Sequence, residues 1–154
     1  MRAILCGGVA LAFFAFAAAS GAAQSVSTDD VVAACVPPGA DDAPATRAQL
    51  RAVVACANAH AARQLNAQTP IRVDEVTSLQ SVVAMDTLLV YNNQVNANAA
   101  DIPAEAKMRL EQNTRDYVCR STEMRQTISN GGSYGYVWID RNGALIHQTR
   151  IETC

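Results

Sequence analysis

Cysteines at positions 35, 56, 119 and 154 constrain this chain more than any other feature, because they follow a segment that reads as an export signal. The leader "MRAILCGGVALAFFAFAAASGAAQ" puts Arg2 ahead of an apolar run from about Ala3 to Ala19 and then small residues, the layout of a secretory signal peptide. The run falls slightly short of the roughly 20 apolar residues of a membrane span, and no positive flank follows it. Cleavage is expected near Ala23, removing residues 1–23 and leaving no membrane span. Cys6 lies before the apolar run has developed, too early to be a lipid-carrying cysteine, and leaves with the leader. Four cysteines in an exported chain predict two disulfides and a periplasmic or secreted location. Three connectivities are possible: 35–56 with 119–154, 35–119 with 56–154, and 35–154 with 56–119. The first is favoured because each of its pairs flanks a compact unit.

The mature chain, residues 24–154, has the size of one domain with a sizeable core. Without Arg2 it carries 11 basic and 14 acidic residues, a net charge of −3, and no basic cluster longer than two. Nucleic acid and anionic membrane surfaces both need a basic face and are excluded as partners.

Local signals divide the mature chain into a helical N-terminal part, 24–66, and a core, 67–154. Ser27 or Thr28 can cap a short helix, with Asp29 and Asp30 in its first turn, which "PPG" ends just after Cys35. "TRAQ" at Thr46 fits a capping box, and Leu50, Val53, Val54, Ala57, Ala61 and Leu65 follow at helical spacing, giving a helix over 46–66. Cys35 and Cys56 meet if the two helices fold back as a hairpin. From Thr77 the period changes to two: "TSLQSVVA", a break at Met85 and Asp86, then "TLLVYNNQV" predict a β-hairpin. Pro103 opens a helix over 103–119 with Ala106, Leu110, Tyr117 and Val118 inward, and a shorter helix over 121–129 stops at "NGG". A second hairpin turns at Asn142-Gly143, read as a two-residue type I′ turn. That register sets Trp138 opposite His147, Tyr136 opposite Thr149 and Tyr134 opposite Ile151, with the aromatic face toward the core. The order predicts an α+β domain with a four-stranded antiparallel sheet, made from the two hairpins, and helices packed on one face. A bond from Cys119 to Cys154 would pin the last strand to the helix layer.

The residues Val73, Asp74, Glu75, Thr77, Leu79, Ser81 and Val82, then Tyr91, Cys119, Met124, Arg125, Gly131 or Gly132, Tyr136, Trp138, Asp140, Gly143 and Cys154 form a pattern. From about Leu65 to Cys154 it resembles a family of small exported bacterial proteins that includes a quorum-sensing-regulated candidate virulence factor. Its members run helix, "VDExTxLdsv", a tyrosine-bearing strand, a cysteine, "MR", a glycine, "YxYxDxxG" and a terminal cysteine. Trp138 stands where a tyrosine is usual, and Cys35 and Cys56 belong to an N-terminal extension. The resemblance implies the 119–154 pairing and no established activity.

Candidate chemistry is sparse. Cys56 and His60, four apart on one helix, have a spacing that metal sites use, but two ligands make no site and an oxidising compartment favours the disulfide. No phosphate-cradling glycine loop, Ser/His/Asp order or CxxC motif is present, and no metal or cofactor is expected. Asp74, Glu75 and Thr77, where the long helix gives way to the first strand, and Arg125 are the candidate binding residues. Adjacent positions of an extended segment point to opposite faces, so Asp74 and Glu75 do not form an acid–base dyad. The bland readings are that Asp74 or Thr77 satisfies backbone N–H groups, that an acid pairs with Arg125, and that His147 packs on Trp138. These readings point to an exported, non-enzymatic interaction domain, stabilised by two disulfides, that binds a protein or small ligand through the sheet or its helix–sheet cleft. The alternative is a small periplasmic hydrolase or ligand-modifying enzyme using Asp74, Glu75 or His147.

Overall fold

The computed structural model describes residues 33–36 and 45–154. The leader 1–23, the start of the short N-terminal helix and the whole "PPGADDAP" linker lie outside the described residues. The helix α1 (Arg47–Asn66) begins with the capping box: the Thr46 hydroxyl accepts from the Gln49 N–H at 3.3 Å, and Gln49 Oε1 accepts from the Thr46 N–H at 2.8 Å. Val54, Ala57, Asn58, Ala61 and Ala62 form its buried stripe. Small residues on that stripe let the helix lie close against the sheet, with Leu50, Val53 and Leu65 half-buried at its margins.

Four strands form where the period-two pattern predicts them, although an irregularity between Leu79 and Ser81 sets the buried Leu79 and Val82 three apart, and one further strand escapes the pattern. The strands are β1 (Ile71–Arg72), β2 (Thr77–Met85), β3 (Leu88–Val95), β4 (Ser133–Ile139) and β5 (Leu145–Ile151). They form one five-stranded sheet in the order β1-β2-β3-β4-β5. The expected four-stranded antiparallel sheet is therefore corrected on two counts. First, β1, two residues long, is too short to show alternation yet pairs antiparallel with β2 through Ile71 and Arg72. Second, the central pair β3 and β4 runs parallel, Leu88 beside Ser133 through to Gln94 beside Ile139. A parallel pair needs a crossover of a dozen residues or more. The segment between β3 and β4 supplies it as a 3₁₀ turn (Ala99–Asp101) and the helices α2 (Ala104–Arg120) and α3 (Thr122–Ser129). Two hairpins joined by so long a connection can meet in either sense, and here the return brings β4 alongside β3 in the same direction.

In the last hairpin the strand pairing is as expected and the turn is not. Trp138 lies opposite His147, Tyr136 opposite Thr149 and Tyr134 opposite Ile151. The turn, however, has three loop residues, Arg141 to Gly143: the Gly143 N–H bonds the Asp140 carbonyl at 3.1 Å and the Asp140 N–H bonds the Ala144 carbonyl at 2.8 Å. Only Gly143 has a positive φ, +86°, so the type I′ reading, which needs it at both central positions, is corrected to a tight turn closed by a left-handed glycine. The three-residue loop shifts the register by one, and a second irregularity between Trp138 and Ile139 shifts it back.

Helices α1, α2 and α3 contribute to one core. Ala61, Leu65, Val118, Leu110, Met124 and Ile128 meet Leu79, Val82, Leu89, Tyr91, Tyr134, Tyr136, Trp138 and Ile151 from the same face of the sheet. Tyr117, expected inward, is 43% exposed; Thr114, one turn earlier, takes the buried position. The α3 helix ends in a Schellman motif, in which the Gly132 N–H bonds the Thr127 carbonyl and the Gly131 N–H that of Ile128, with Gly131 at φ +89°.

Both disulfides are present, Cys35–Cys56 and Cys119–Cys154. The first ties residues 33–36 to α1; the second ties the end of α2 to the residue three beyond β5. Such bonds form and persist in oxidising compartments, so the protein is exported, to the periplasm or beyond. No helix among the described residues is long and apolar enough to cross a membrane.

Candidate functional site

The helices do not cover the sheet evenly. A cleft of about 360 Å³ opens between the C-terminal end of α1, the β1–β2 connection and α2, with the sheet as its floor. Leu65 and Val73 form one wall, Leu110 and Thr114 the other, and Tyr91, Asn93, Tyr136 and Trp138 the floor.

Alternation along β3 and β4 places the aromatic residues there. Tyr91 sits beside Tyr136 in the parallel register, and their rings stack at 5.0 Å. Tyr136 and Trp138, two apart on β4, stack at 5.7 Å, and Trp138 stacks on His147 across the hairpin at 6.0 Å. The ladder thus presents ring edges to the cleft while the faces cover one another. Burial pushes the Tyr91 and Tyr136 phenols well above their ordinary value of 10, with neighbouring phenols adding to the effect. Tyr117 at the rim is raised to about 12, again chiefly by burial. Every one of these hydroxyls stays protonated at physiological pH.

Of the residues singled out from sequence, Asp74 and Thr77 line the cleft. Asp74 Oδ1 accepts from the N–H groups of Val76 at 2.8 Å and Thr77 at 2.7 Å, and the Thr77 carbonyl accepts from Val73 and Asp74. This closed turn holds the mouth of the cleft and makes Asp74 the one charged residue among its lining. Glu75 is exposed and outside the lining, as is Arg125 on α3, which pairs with neither acid. His147 stands at the opposite end of the sheet, three strand spacings or roughly 14 Å from β2. Its Nε2 lies 3.5 Å from Glu111 of α2. The structure therefore does not bring Asp74, Glu75 and His147 together. Cys56 is bonded to Cys35, and His60 Nε2 contacts the Gln64 amide at 2.7 Å; no cluster of metal-ligating groups occurs among the described residues.

Sequence reasoning missed Asn93, Asn113 and Thr114, the amides and hydroxyl of the cleft. Asn93 carried a readable signal, a polar residue two after Tyr91 at an inward strand position. Thr114 likewise occupies a buried helix position four after Leu110, whose carbonyl its hydroxyl bonds at 2.7 Å.

No protein-family model matches the chain, and no curated protein does. Solved structures do share its fold. A candidate secreted protein of Pseudomonas aeruginosa aligns with a TM-score of 0.58 at 16% identity, over 71% of this chain and 96% of that one. The pilotin EpsS of the Vibrio vulnificus type 2 secretion system aligns with a TM-score of 0.58 at 14% identity, over 68% and 92%. The pilotin AspS of the Vibrio cholerae type II secretion system aligns with a TM-score of 0.54 at 16% identity, over 68% and 93%. At these identities the likeness is one of fold.

Proposed function

We propose that this protein is an exported, non-enzymatic accessory domain that works by binding through its helix–sheet cleft. The observation that carries this reading is the cleft itself, an apolar opening lined from three sides and left uncovered by helices that otherwise seal the same face. Pockets of this kind, apolar with a few placed polar groups, are where small domains hold partners. The shared fold with pilotins, accessory proteins of secretion systems, supports a role beside an assembly of the cell envelope. Membership of the family with the "VDExTxL" and "YxYxDxxG" pattern is part of the proposal. It is supported by the roles of the pattern's residues: Asp74 closes the turn at the cleft mouth, Gly131 and Gly132 end α3, and Cys119 bonds Cys154.

Site-specific photo-cross-linking in the exported compartment tests the reading. A photoreactive residue at Leu110 or Val73 should give adducts, and one at Val83, exposed on the opposite face of the sheet, should not. Adducts from Val83 alone would move the binding surface to the other face and overturn the cleft.

A further inference from the structure

One polar atom of the cleft floor lacks a partner. Tyr136 is 7% exposed, its hydroxyl is shut off from solvent, and that hydroxyl meets no hydrogen-bond partner among the described residues. Buried polar groups are nearly always bonded, so an orphan donor under an open cleft marks a place where the partner arrives with something else. We propose that the cleft takes a small, neutral, largely apolar molecule carrying one carbonyl-type acceptor, and that the Tyr136 hydroxyl is the donor it meets. This rests on the cleft being the binding site and adds the chemistry of the ligand.

Size, polarity and charge converge on that class. At about 360 Å³ the cleft lies at the small end of the roughly 300–1,000 Å³ range of small-molecule pockets. Leu65, Val73, Leu79 and Leu110 remove apolar atoms from water. Among the described residues the only charge on the lining is the Asp74 carboxylate, and no cation lines the cleft; the Arg72 guanidinium, outside the lining, donates to the Asp74 carbonyl at 3.1 Å. An anionic ligand would lose its hydration without compensation. The stacking of Tyr136 on Trp138 leaves ring edges, the positive side of the aromatic quadrupole, facing the cleft, which favours an acceptor oxygen over a sugar, whose C–H groups need an open ring face. Because the phenol stays protonated, it donates throughout the physiological range. The Tyr136 hydroxyl is covered, so the ligand oxygen reaches it with a movement of the cleft side chains.

The test uses the full mature protein with 2-octanone and octanoate as probes. Trp138 is the only tryptophan of the chain and lines the cleft, so its emission reports occupancy, and calorimetry gives the affinity independently. The ketone should bind and raise Tm, octanoate should bind at least tenfold more weakly, and Tyr136→Phe should weaken the ketone about tenfold while remaining folded. Val73→Phe, which fills the mouth, should block it. Equal affinity of the wild type and Tyr136→Phe, preference for octanoate, or no ketone binding would each overturn the proposal. If the ketone fails while cleft positions still cross-link, the ligand class falls and the binding site stands. If the ketone binds and Val83 alone cross-links, the ligand class stands and the accessory role through the cleft falls.

Discussion

The Asn66 side chain, at the last residue of α1, pairs with the backbone of Val82 as a neighbouring strand would: its Oδ1 accepts from the Val82 N–H and its Nδ2 donates to the Val82 carbonyl, both at 2.7 Å. Val82 lies on the part of β2 beyond the reach of β1, which pairs only with Ser78 and Leu79. The amide thus closes a stretch of sheet edge that would otherwise offer its unpaired groups to another chain, and it anchors the end of α1 beside the cleft. Asn66→Ala leaves both groups without a protein partner and should cost about 1–2 kcal/mol in denaturant unfolding. Asn66→Asp keeps the acceptor but sets a second oxygen against the Val82 carbonyl, and should fall at or below the alanine variant. A stability equal to wild type for both would show that the edge is indifferent to the pairing.

Two glycines separate crowding from backbone strain. A Cβ at Gly132 would lie 2.6 Å from Thr127 Cγ2 and 2.9 Å from the Thr127 carbonyl, contacts that only a backbone shift relieves. A Cβ at Gly143 would meet nothing within 4 Å, but the residue sits at φ +86°. Gly132→Ala should therefore cost about 1–3 kcal/mol through overpacking. Gly143→Ala should cost about 1–2 kcal/mol through conformation alone, and Gly143→Asn should recover part of it, since asparagine tolerates the left-handed region. Thermal unfolding of the three variants checks the ranking.

Asp140 gives the fold a defined acid limit. Its buried carboxylate accepts from the N–H groups of Ala99 at 3.1 Å, Asn142 at 2.7 Å and Ala144 at 2.8 Å, joining the last turn to the start of the crossover. These bonds, that from Ala99 foremost, hold its pKa below the ordinary 3.8. With the folded value below the unfolded one, the stabilisation is fully present above about pH 4 and is lost as pH falls through the folded pKa. Glu123, lowered by its own backbone N–H and the Ser121 hydroxyl, adds in the same direction. Asp140→Asn should lower Tm at pH 7, and the gap to wild type should narrow below pH 4. A gap that stays constant down to pH 2 would refute the assignment.

The disulfides should be unequal in what they hold. Cys119–Cys154 closes 35 residues of sequence and Cys35–Cys56 closes 21. In the chain-entropy model each contributes roughly 3–4 kcal/mol. The first pins the chain after β5 to α2, where Arg115 also donates to the Thr153 carbonyl at 3.0 Å. The double Cys119→Ser/Cys154→Ser variant should thus show faster amide exchange throughout β5. The Cys35→Ser/Cys56→Ser pair should leave β5 protected, because that bond reaches no strand. Hydrogen exchange with and without reductant distinguishes the two.

These elements differ in how far the sequence announced them. The capping box at Thr46 and the alternation of Tyr134, Tyr136 and Trp138 are local signals, and each is realised locally. The last hairpin kept its expected pairs because two register shifts of one residue cancel, a result that no turn motif encodes. The parallel pairing of β3 with β4 is decided by how a 37-residue crossover packs, between Val95 and Ser133, and so by tertiary contacts. The cleft was the least legible feature. Leu110, Tyr91 and Tyr136 have the pattern of core residues, and only the spacing of α1 from α2 leaves them lining an opening.

Asp74 joins the two halves of that cleft's behaviour, turn and charge, and substitutions can part them. Asp74→Asn keeps an oxygen for the Val76 and Thr77 N–H groups while removing the only charge on the lining. Asp74→Ala removes both. The asparagine variant should unfold within about 0.5 kcal/mol of wild type, whereas the alanine variant should lose about 1–2 kcal/mol, the usual cost of stripping such a cap. Glu75→Ala, exposed and outside the cleft, should match wild type in both stability and ligand binding. If Asp74 only shapes the turn, Asp74→Asn should bind octanoate as poorly as wild type does. If its charge helps exclude anions, the octanoate affinity should rise several-fold with 2-octanone unchanged, and this is the expected result.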